Sequence, residues 1–295
     1  MTQQLRGKVA AITGAGSGFG REFARMGAQL GMRLALSDVQ PDALAATVAE
    51  LKDAGADASS DIVDVADSSQ VKQWADRVFQ HFGGVHLLMN NAGVGGGGYL
   101  WESTDQDWQW VMGVNLMGVV HGVQHFVPRM LEANARGEWG HVVNTASMAG
   151  WLAPPLMGVY NVSKHAVVAL SETLYHDLQM AGSTIGVSVL SPAFVPTGIA
   201  DSHRNRPPDL ANTNAATTAS QKMAHNATAK AVSSGRITAK QVAQLTFDAI
   251  CANRFYVFTH PQILPAVQAR FDSVLNGKPP ADPYATRPAA KPRLG

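Results

Sequence analysis

Apolar positions along this chain follow two patterns. Short β-branched runs alternate with stretches in which apolar residues recur every three or four positions. Residues 8–13 (KVAAIT) form the first run and read as a buried parallel strand ending at glycine. Phe23, Met26 and Leu30 then follow at helical spacing. Residues 33–38 (RLALSD) predict the second strand and 44–51 a second helix. A third strand is expected over 58–65, with a helical stripe through Val71, Trp74, Val78 and Phe82 behind it. Residues 85–89 predict a fourth strand, 105–133 a long helix, and 141–145 a fifth strand. Residues 158–181 predict a second long helix and 184–190 a sixth strand. A helix over 238–251, a strand over 255–258 and an amphipathic helix over 265–275 complete the pattern. Strands alternating with helices of this length predict an α/β fold: a doubly wound, seven-stranded parallel sheet with helices on both faces.

Residues 200–235 break the pattern, being rich in Ala, Thr, Asn, Ser and Pro. They read as an inserted lid or a plain surface excursion. No linker separates two cores, so a single domain is expected over 1–276, with a frayed tail over 277–295.

Composition narrows the class. Of the 295 residues 46% are hydrophobic and 15% charged, and the formal net charge is +1. A large core fits these totals, whereas disorder and a basic nucleic-acid surface do not. The low charge also suits burial of surface in an oligomer. Cys251 is the one cysteine, which excludes an intrachain disulfide or cysteine metal cluster. No apolar run approaches the length of a membrane span, and the first residues lead directly into a glycine loop. The expectation is a soluble, cytoplasmic protein.

Chemistry gathers at strand ends. Thr13-Gly14-Ala15-Gly16-Ser17-Gly18-Phe19-Gly20 joins the first strand to the first helix. Glycines in that context let backbone N–H groups meet a pyrophosphate at a helix N-terminus. No Gly-Lys-Ser/Thr follows, which excludes a P-loop. Asp38 lies 24 residues past Gly14, near the spacing of a ribose-binding carboxylate. It also stands where it would cap a helix that starts near Pro41. An acid here repels a 2′-phosphate, and no Lys or Arg stands at 39 or in the loop before Gly20. NAD is expected over NADP.

Ser147, Tyr160 and Lys164 lie within eighteen positions, past the end of the fifth strand. Tyr160 and Lys164, four apart, share a helix face. A phenol has a pKa of about 10, so acting as a base near neutrality takes about 4 kcal/mol of help, which a neighbouring cation can give. A solvated surface pair fits the same spacing. Asn115 falls inside an apolar stripe and needs partners, as a tie to a neighbouring carbonyl or as part of a site. Gly118 and Gly122 allow a neighbouring element to come close. His121 and His125 share a helix face without a third ligand, so they read as packing or surface histidines and no metal is expected.

Taken together, these residues resemble the short-chain dehydrogenase/reductase family, in its shorter single-domain type. The resemblance covers roughly residues 5–200 plus 238–258. Thr13-Gly14-x-x-x-Gly18-x-Gly20 is similar to its cofactor loop, and Asn90-Asn91-Ala92-Gly93 to its sheet-stabilising motif. Asn115, Ser147, Tyr160 and Lys164 occupy its catalytic tetrad. Pro192-Ala193 departs from the family's usual Pro-Gly.

The resemblance implies a Rossmann-like fold and hydride transfer between a secondary alcohol or ketone and a nicotinamide cofactor. Tyr160 would act as general base or acid and Ser147 would hold the substrate oxygen. Lys164 would depress the Tyr160 pKa and hold a ribose, while Asn115 would tie a water to Lys164. Ser17, Phe19, Asp64, Val65, Asn91, Ala92 and Gly93 are implied as cofactor contacts, and so are Pro192, Val195 and Thr197. Trp151, Leu152, Pro154, Leu156, Met157 and Phe194 flank the tetrad. They predict an apolar pocket for a bulky cyclic or aromatic substrate, or else pack the loop. The two long helices resemble the family's subunit-contact helices, which implies a homodimer or homotetramer. The rival readings are a related nucleotide-sugar epimerase or dehydratase, and an NAD-binding regulator without catalysis. The glycine spacing and the intact tetrad argue against them.

Overall fold

The computed structural model describes residues 2–212 and 216–285. Its centre is a seven-stranded, all-parallel sheet in the order β3-β2-β1-β4-β5-β6-β7. After a single N-terminal turn, α1 (Thr2–Leu5), the first half runs β1 (Val9–Thr13), α2 (Gly18–Gln29), β2 (Arg33–Asp38), α3 (Pro41–Asp53), β3 (Ala58–Ile62) and α4 (Ser68–Phe82). The chain then crosses to the other side of β1 through β4 (Leu87–Asn90), α5 (Asp105–Met112), α6 (Gly118–Asn134) and β5 (His141–Thr145). It ends with α7 (Gly158–Met180), β6 (Gly186–Ser191), α8 (Ala219–Ser233), α9 (Ala239–Cys251), β7 (Tyr256–Phe258) and α10 (Leu264–Leu275).

Alternation along β1 shows how the two faces are filled. Ala10 and Ile12 pack with Phe23 of α2, Leu44 of α3 and Phe247 of α9. Val9 and Ala11 pack on the other side with Trp74 of α4, Phe126 of α6 and Leu174 of α7. Each large side chain so buried contributes about 1.5–3 kcal/mol. Because both faces are covered, β1, β4, β5 and β6 are buried along their whole length and read as near-continuous apolar runs.

Several predicted boundaries move. The third strand stops at Ile62 rather than 65. It is an edge strand with Ile62 half exposed, and Asp64 turns the chain by accepting a hydrogen bond from the Ala66 N–H at 2.9 Å. The long helix predicted over 105–133 is interrupted by a π-helical turn, Gly113–Met117, with Asn115 at its centre. Gly118 and Gly122 do admit close neighbours: a Cβ on Gly118 would lie 2.7 Å from Val65 Cγ2, and one on Gly122 would lie 2.0 Å from Asn90 Oδ1.

The 200–235 stretch is ordered over its described residues, with a 3₁₀ segment Gly198–Asn205 and helix α8. Residues 213–215 of that stretch, and 286–295 of the expected tail, lie outside the described residues. Among the described residues no helix is long and apolar enough to cross a membrane.

Candidate active site

One cavity of about 1490 Å³ opens along the carboxyl ends of the strands. Its floor at one end is the glycine loop. Gly14 and Gly18 hold positive φ (68° and 52°), as the loop's tight path requires. A Cβ on Gly20 would stand 2.1 Å from the Gly14 carbonyl oxygen, so Gly20 shapes the loop by close packing and does not itself line the cavity. Ser17 precedes α2 in extended conformation, but its side chain makes no cap hydrogen bond. The first N–H groups of α2 therefore have no side-chain cap from Ser17, and Ser17, Gly18 and Phe19 line the cavity, a setting that favours anions.

Asp38 ends β2 at the rim. Its Oδ2 accepts from the Gly16 N–H at 2.8 Å and its Oδ1 from the Gln40 N–H at 2.9 Å. The helix cap itself falls to Gln40, without a side-chain bond. The carboxylate thus braces the glycine loop and keeps unused lone pairs. Asp64 and Val65 line the next part of the cavity.

Asn90 to Gly93 knit three strand ends together. Asn90 Nδ2 donates to Asn144 Oδ1 on β5, and Asn91 Nδ2 donates to the Thr13 carbonyl of β1, both at 2.9 Å. The Asn91 and Ala92 N–H groups both donate to Thr13 Oγ1. Asn91, Ala92 and Gly93 are thereby set as cavity wall.

At the other end β5 delivers Ser147. Its Oγ donates to the Pro192 carbonyl at 3.3 Å and accepts from the Ala149 N–H at 3.1 Å. The first turns of α7 bring Tyr160 and Lys164 beside it. The Tyr160 hydroxyl hydrogen-bonds Ser147, and Lys164 Nζ lies 5.7 Å from the centre of the Tyr160 ring. Lys164 is buried and donates to the Thr145 carbonyl at 2.9 Å.

Burial pushes the Tyr160 pKa up, against a smaller downward pull from Ser147, and burial pushes Lys164 down to about 8. Low dielectric disfavours both charges at once, which is why the cation gives the phenol no visible help.

Asn115 makes the tie to a neighbouring carbonyl that is one of its two readings. Its Nδ2 donates to the Val94 carbonyl (3.0 Å) and to Ser163 Oγ (3.1 Å), while its Oδ1 accepts from the Val94 N–H (2.8 Å). The amide is a tie that holds the loop after β4, and it stands behind Gly93 rather than on the cavity wall. Its Oδ1 and Lys164 Nζ lie 3.4 Å and 3.6 Å from where a Gly93 Cβ would sit.

Leu152, Pro154, Leu156, Met157 and Phe194 line the cavity that Ser147 and Tyr160 also line; Trp151 does not. Trp151 is core, donating to Ser191 Oγ at 2.9 Å and packing edge-on against Tyr256 and Phe258. Leu156 holds φ at 66°, uncommon for a branched residue, and its carbonyl accepts from the Gly98 N–H at 2.9 Å. Pro192, Val195 and Thr197 reach the cavity from the loop after β6.

Sequence reasoning missed the lid's contribution. Helix α8 lies directly on the Gly95–Gly98 run, where a Cβ on Gly97 would be 2.6 Å from Ala224 Cβ. The glycine run facing an alanine-rich helix was the available signal. Glu102 Oε2 accepts from Thr218 and Ser220 at the start of that helix. Arg206 donates to Asp107 Oδ1 (2.6 Å) and lies over the Trp110 ring. Tyr284, in the segment expected to fray, also reaches the cavity. His121 and His125 bond to Val65 O and Ser68 Oγ, and among the described residues no three or more His, Cys, Asp or Glu side chains are grouped as metal ligands.

Comparison with known proteins agrees with this geometry. The family profile described as short chain dehydrogenase matches residues 8–208. The chain is 31% identical over 279 residues to a CLA biosynthesis dehydrogenase/reductase of Lactiplantibacillus plantarum, covering 94% of this chain and 96% of that protein. It is 30% identical over 283 residues to a C alpha-dehydrogenase of a Sphingobium strain, covering 95% and 90%. The crystal structure of a short chain dehydrogenase/reductase from Burkholderia phymatum in complex with NAD superposes with a TM-score of 0.92 at 56% identity, covering 95% of this chain and 98% of that one. A sheet with the glycine loop after its first strand, and Ser147, Tyr160 and Lys164 gathered at its carboxyl edge, thus has its relatives throughout one family, and the chain belongs to it: the short-chain dehydrogenases/reductases.

Proposed function

We propose that the protein is an NAD-dependent oxidoreductase that interconverts a secondary alcohol and a ketone. The observation that carries this reading is the Ser147–Tyr160 hydrogen bond at one end of a cavity whose other end is the glycine loop. The residues fit a dinucleotide. Gly14 and Gly18 take backbone paths closed to most side chains, Ser17 leaves the start of α2 uncapped, and Asp38 has lone pairs left for ribose hydroxyls. A carboxylate at Asp38 favours NAD, because a 2′-phosphate would meet like charge. When bound, NAD supplies the hydride acceptor and its reduced form the donor.

The protein's own part is proton transfer and positioning. Ser147 Oγ holds the substrate oxygen while negative charge builds on it. Tyr160 takes the alcohol proton during oxidation and returns it during reduction. Since burial holds the phenol in its protonated form, Tyr160 is set as the proton donor of ketone reduction near neutrality. Lys164 sits below the ring and favours the phenolate when that forms. Asn115 keeps the 93–94 loop in place and lends its second Oδ1 lone pair toward the Lys164 side. Leu152, Leu156, Met157 and Phe194 give the catalytic end an apolar wall suited to a bulky cyclic or aromatic substrate.

Steady-state assays over a panel of cyclic, aromatic and short-chain secondary alcohols, with NAD and with NADP, test the reading. It predicts turnover with bulky apolar members and NAD. Tight NAD binding with no turnover of any member would point instead to a non-catalytic regulator.

A further inference from the structure

The glycine loop carries no cation between Thr13 and Gly20, so a bound pyrophosphate would meet only backbone dipoles from that side. The lid offers what the loop lacks. Thr197 rests against Gly18 at the start of α2, its Cβ 3.5 Å from where a Gly18 Cβ would stand. The 3₁₀ segment Gly198–Asn205 starts at the next residue and folds back, which brings Arg204 over Gly198. Arg204 Nη2 lies 3.1 Å from where a Gly198 Cβ would be. Its Nη1 donates to the Gly198 and Asp201 carbonyls at 3.1 and 2.8 Å, which fixes the guanidinium in place. Among the described residues no carboxylate pairs with it, and the Nε and Nη2 hydrogens have no acceptor. The residue is exposed and lines the cavity along with Ser17 and Gly18. Its neighbour Asn205 also lines the cavity, with a buried Oδ1 that has no partner.

The other arginines nearby are differently placed. Arg206 is spent on Asp107, Asn212 and the Leu210 carbonyl. Arg21 follows the glycine loop but does not line the cavity, and its charge acts on Glu50 of α3. Arg236 lines the cavity beside Gly235, which packs on Phe194 and Pro196, away from Gly18.

We propose that Arg204 is a cofactor-binding residue, a lid-borne cation that closes over the dinucleotide pyrophosphate opposite the N-terminus of α2. This rests on the reading of the cavity as a dinucleotide site and adds the group that couples lid position to cofactor affinity. A planar guanidinium with free donors suits a phosphate, and such charge-assisted bonds are about twice as strong as neutral ones.

The test is direct binding, by calorimetry, of NAD, ADP-ribose and adenosine to the wild type, Arg204→Ala, Arg204→Lys and Arg236→Ala. Arg204→Ala is expected to weaken NAD and ADP-ribose by about 10-fold or more and leave adenosine unchanged, with Arg204→Lys in between. The affinity for NAD should also lose part of its salt dependence. Wild-type NAD affinity in Arg204→Ala would overturn the proposal and leave the dinucleotide reading standing. So would an equal loss for adenosine, or the same selective loss in Arg236→Ala alone. Failure of the wild type to bind NAD or ADP-ribose would overturn both. Melting temperatures close to wild type would show that the exposed substitution has not unfolded the lid.

Discussion

Asn115→Ala separates a structural amide from a chemical one. The side chain is 1% exposed and makes three hydrogen bonds, two of them to the Val94 backbone. Truncation leaves the Val94 N–H and C=O without partners at a buried position. Each such orphan costs about 1–3 kcal/mol, so the expected loss of stability is roughly 2–6 kcal/mol. In a chain of this size each kcal/mol moves the melting temperature by about 2–4 °C, so a drop of roughly 4–24 °C follows. Thermal melts and urea unfolding of wild type and variant measure it. Turnover should fall too, because Gly93 and Val94 line the cavity and lose their brace. An unchanged melting temperature with collapsed turnover would refute the tie as the amide's main work and return Asn115 to a proton path.

Tyr160→Phe removes the hydroxyl bonded to Ser147, and should lower turnover by orders of magnitude while calorimetry still finds NAD bound. Near-normal turnover would contradict the proton-transfer role. Asp38→Ala removes the acceptor for the Gly16 and Gln40 N–H groups and the charge at the ribose end, so the ratio of NAD to NADP efficiency should narrow. A wild type that already prefers NADP would overturn the reading of Asp38. The raised phenol pKa fixes the sign of the pH dependence. Alcohol oxidation needs the phenolate, so its kcat/KM should climb from neutral into alkaline pH, whereas ketone reduction needs the phenol and should stay level until the pH passes the ordinary phenol value of about 10, falling only beyond it. Opposite slopes in initial rates would remove Tyr160 from the step.

The sheet and its cofactor end were readable because they follow from local rules. β1, the glycine loop and α2 show a buried parallel strand, a turn closed to side chains and an apolar stripe, each written in consecutive residues. Tertiary context decided the rest. The edge position of β3 lets Ser59, Ser60 and Asp61 stand in a strand while the apolar residues at 63 and 65 leave it. The π-turn at Asn115 arises from a long-range tie to Val94 that no helical period announces. Trp151 lies amid cavity residues in sequence, yet the pairing of β6 with β7 draws it under Tyr256 and Phe258. The shift at Tyr160 depends on burial, which is invisible in a Tyr-x-x-x-Lys spacing. Arg204 is not legible in the sequence because the lid's fold, not its composition, brings a cation to Gly198, next to the Thr197 that rests on Gly18.

The central claim is hydride transfer at the Ser147–Tyr160 end of the cavity, and isotope transfer tests it most directly. A secondary alcohol with deuterium on its carbinol carbon, identified as a substrate in the panel, is turned over with NAD and the nicotinamide product examined by mass spectrometry and NMR. The account predicts one deuterium carried to a single face of the nicotinamide ring, and loss of that transfer in Tyr160→Phe. Ketone formation without deuterium in the nicotinamide would contradict it.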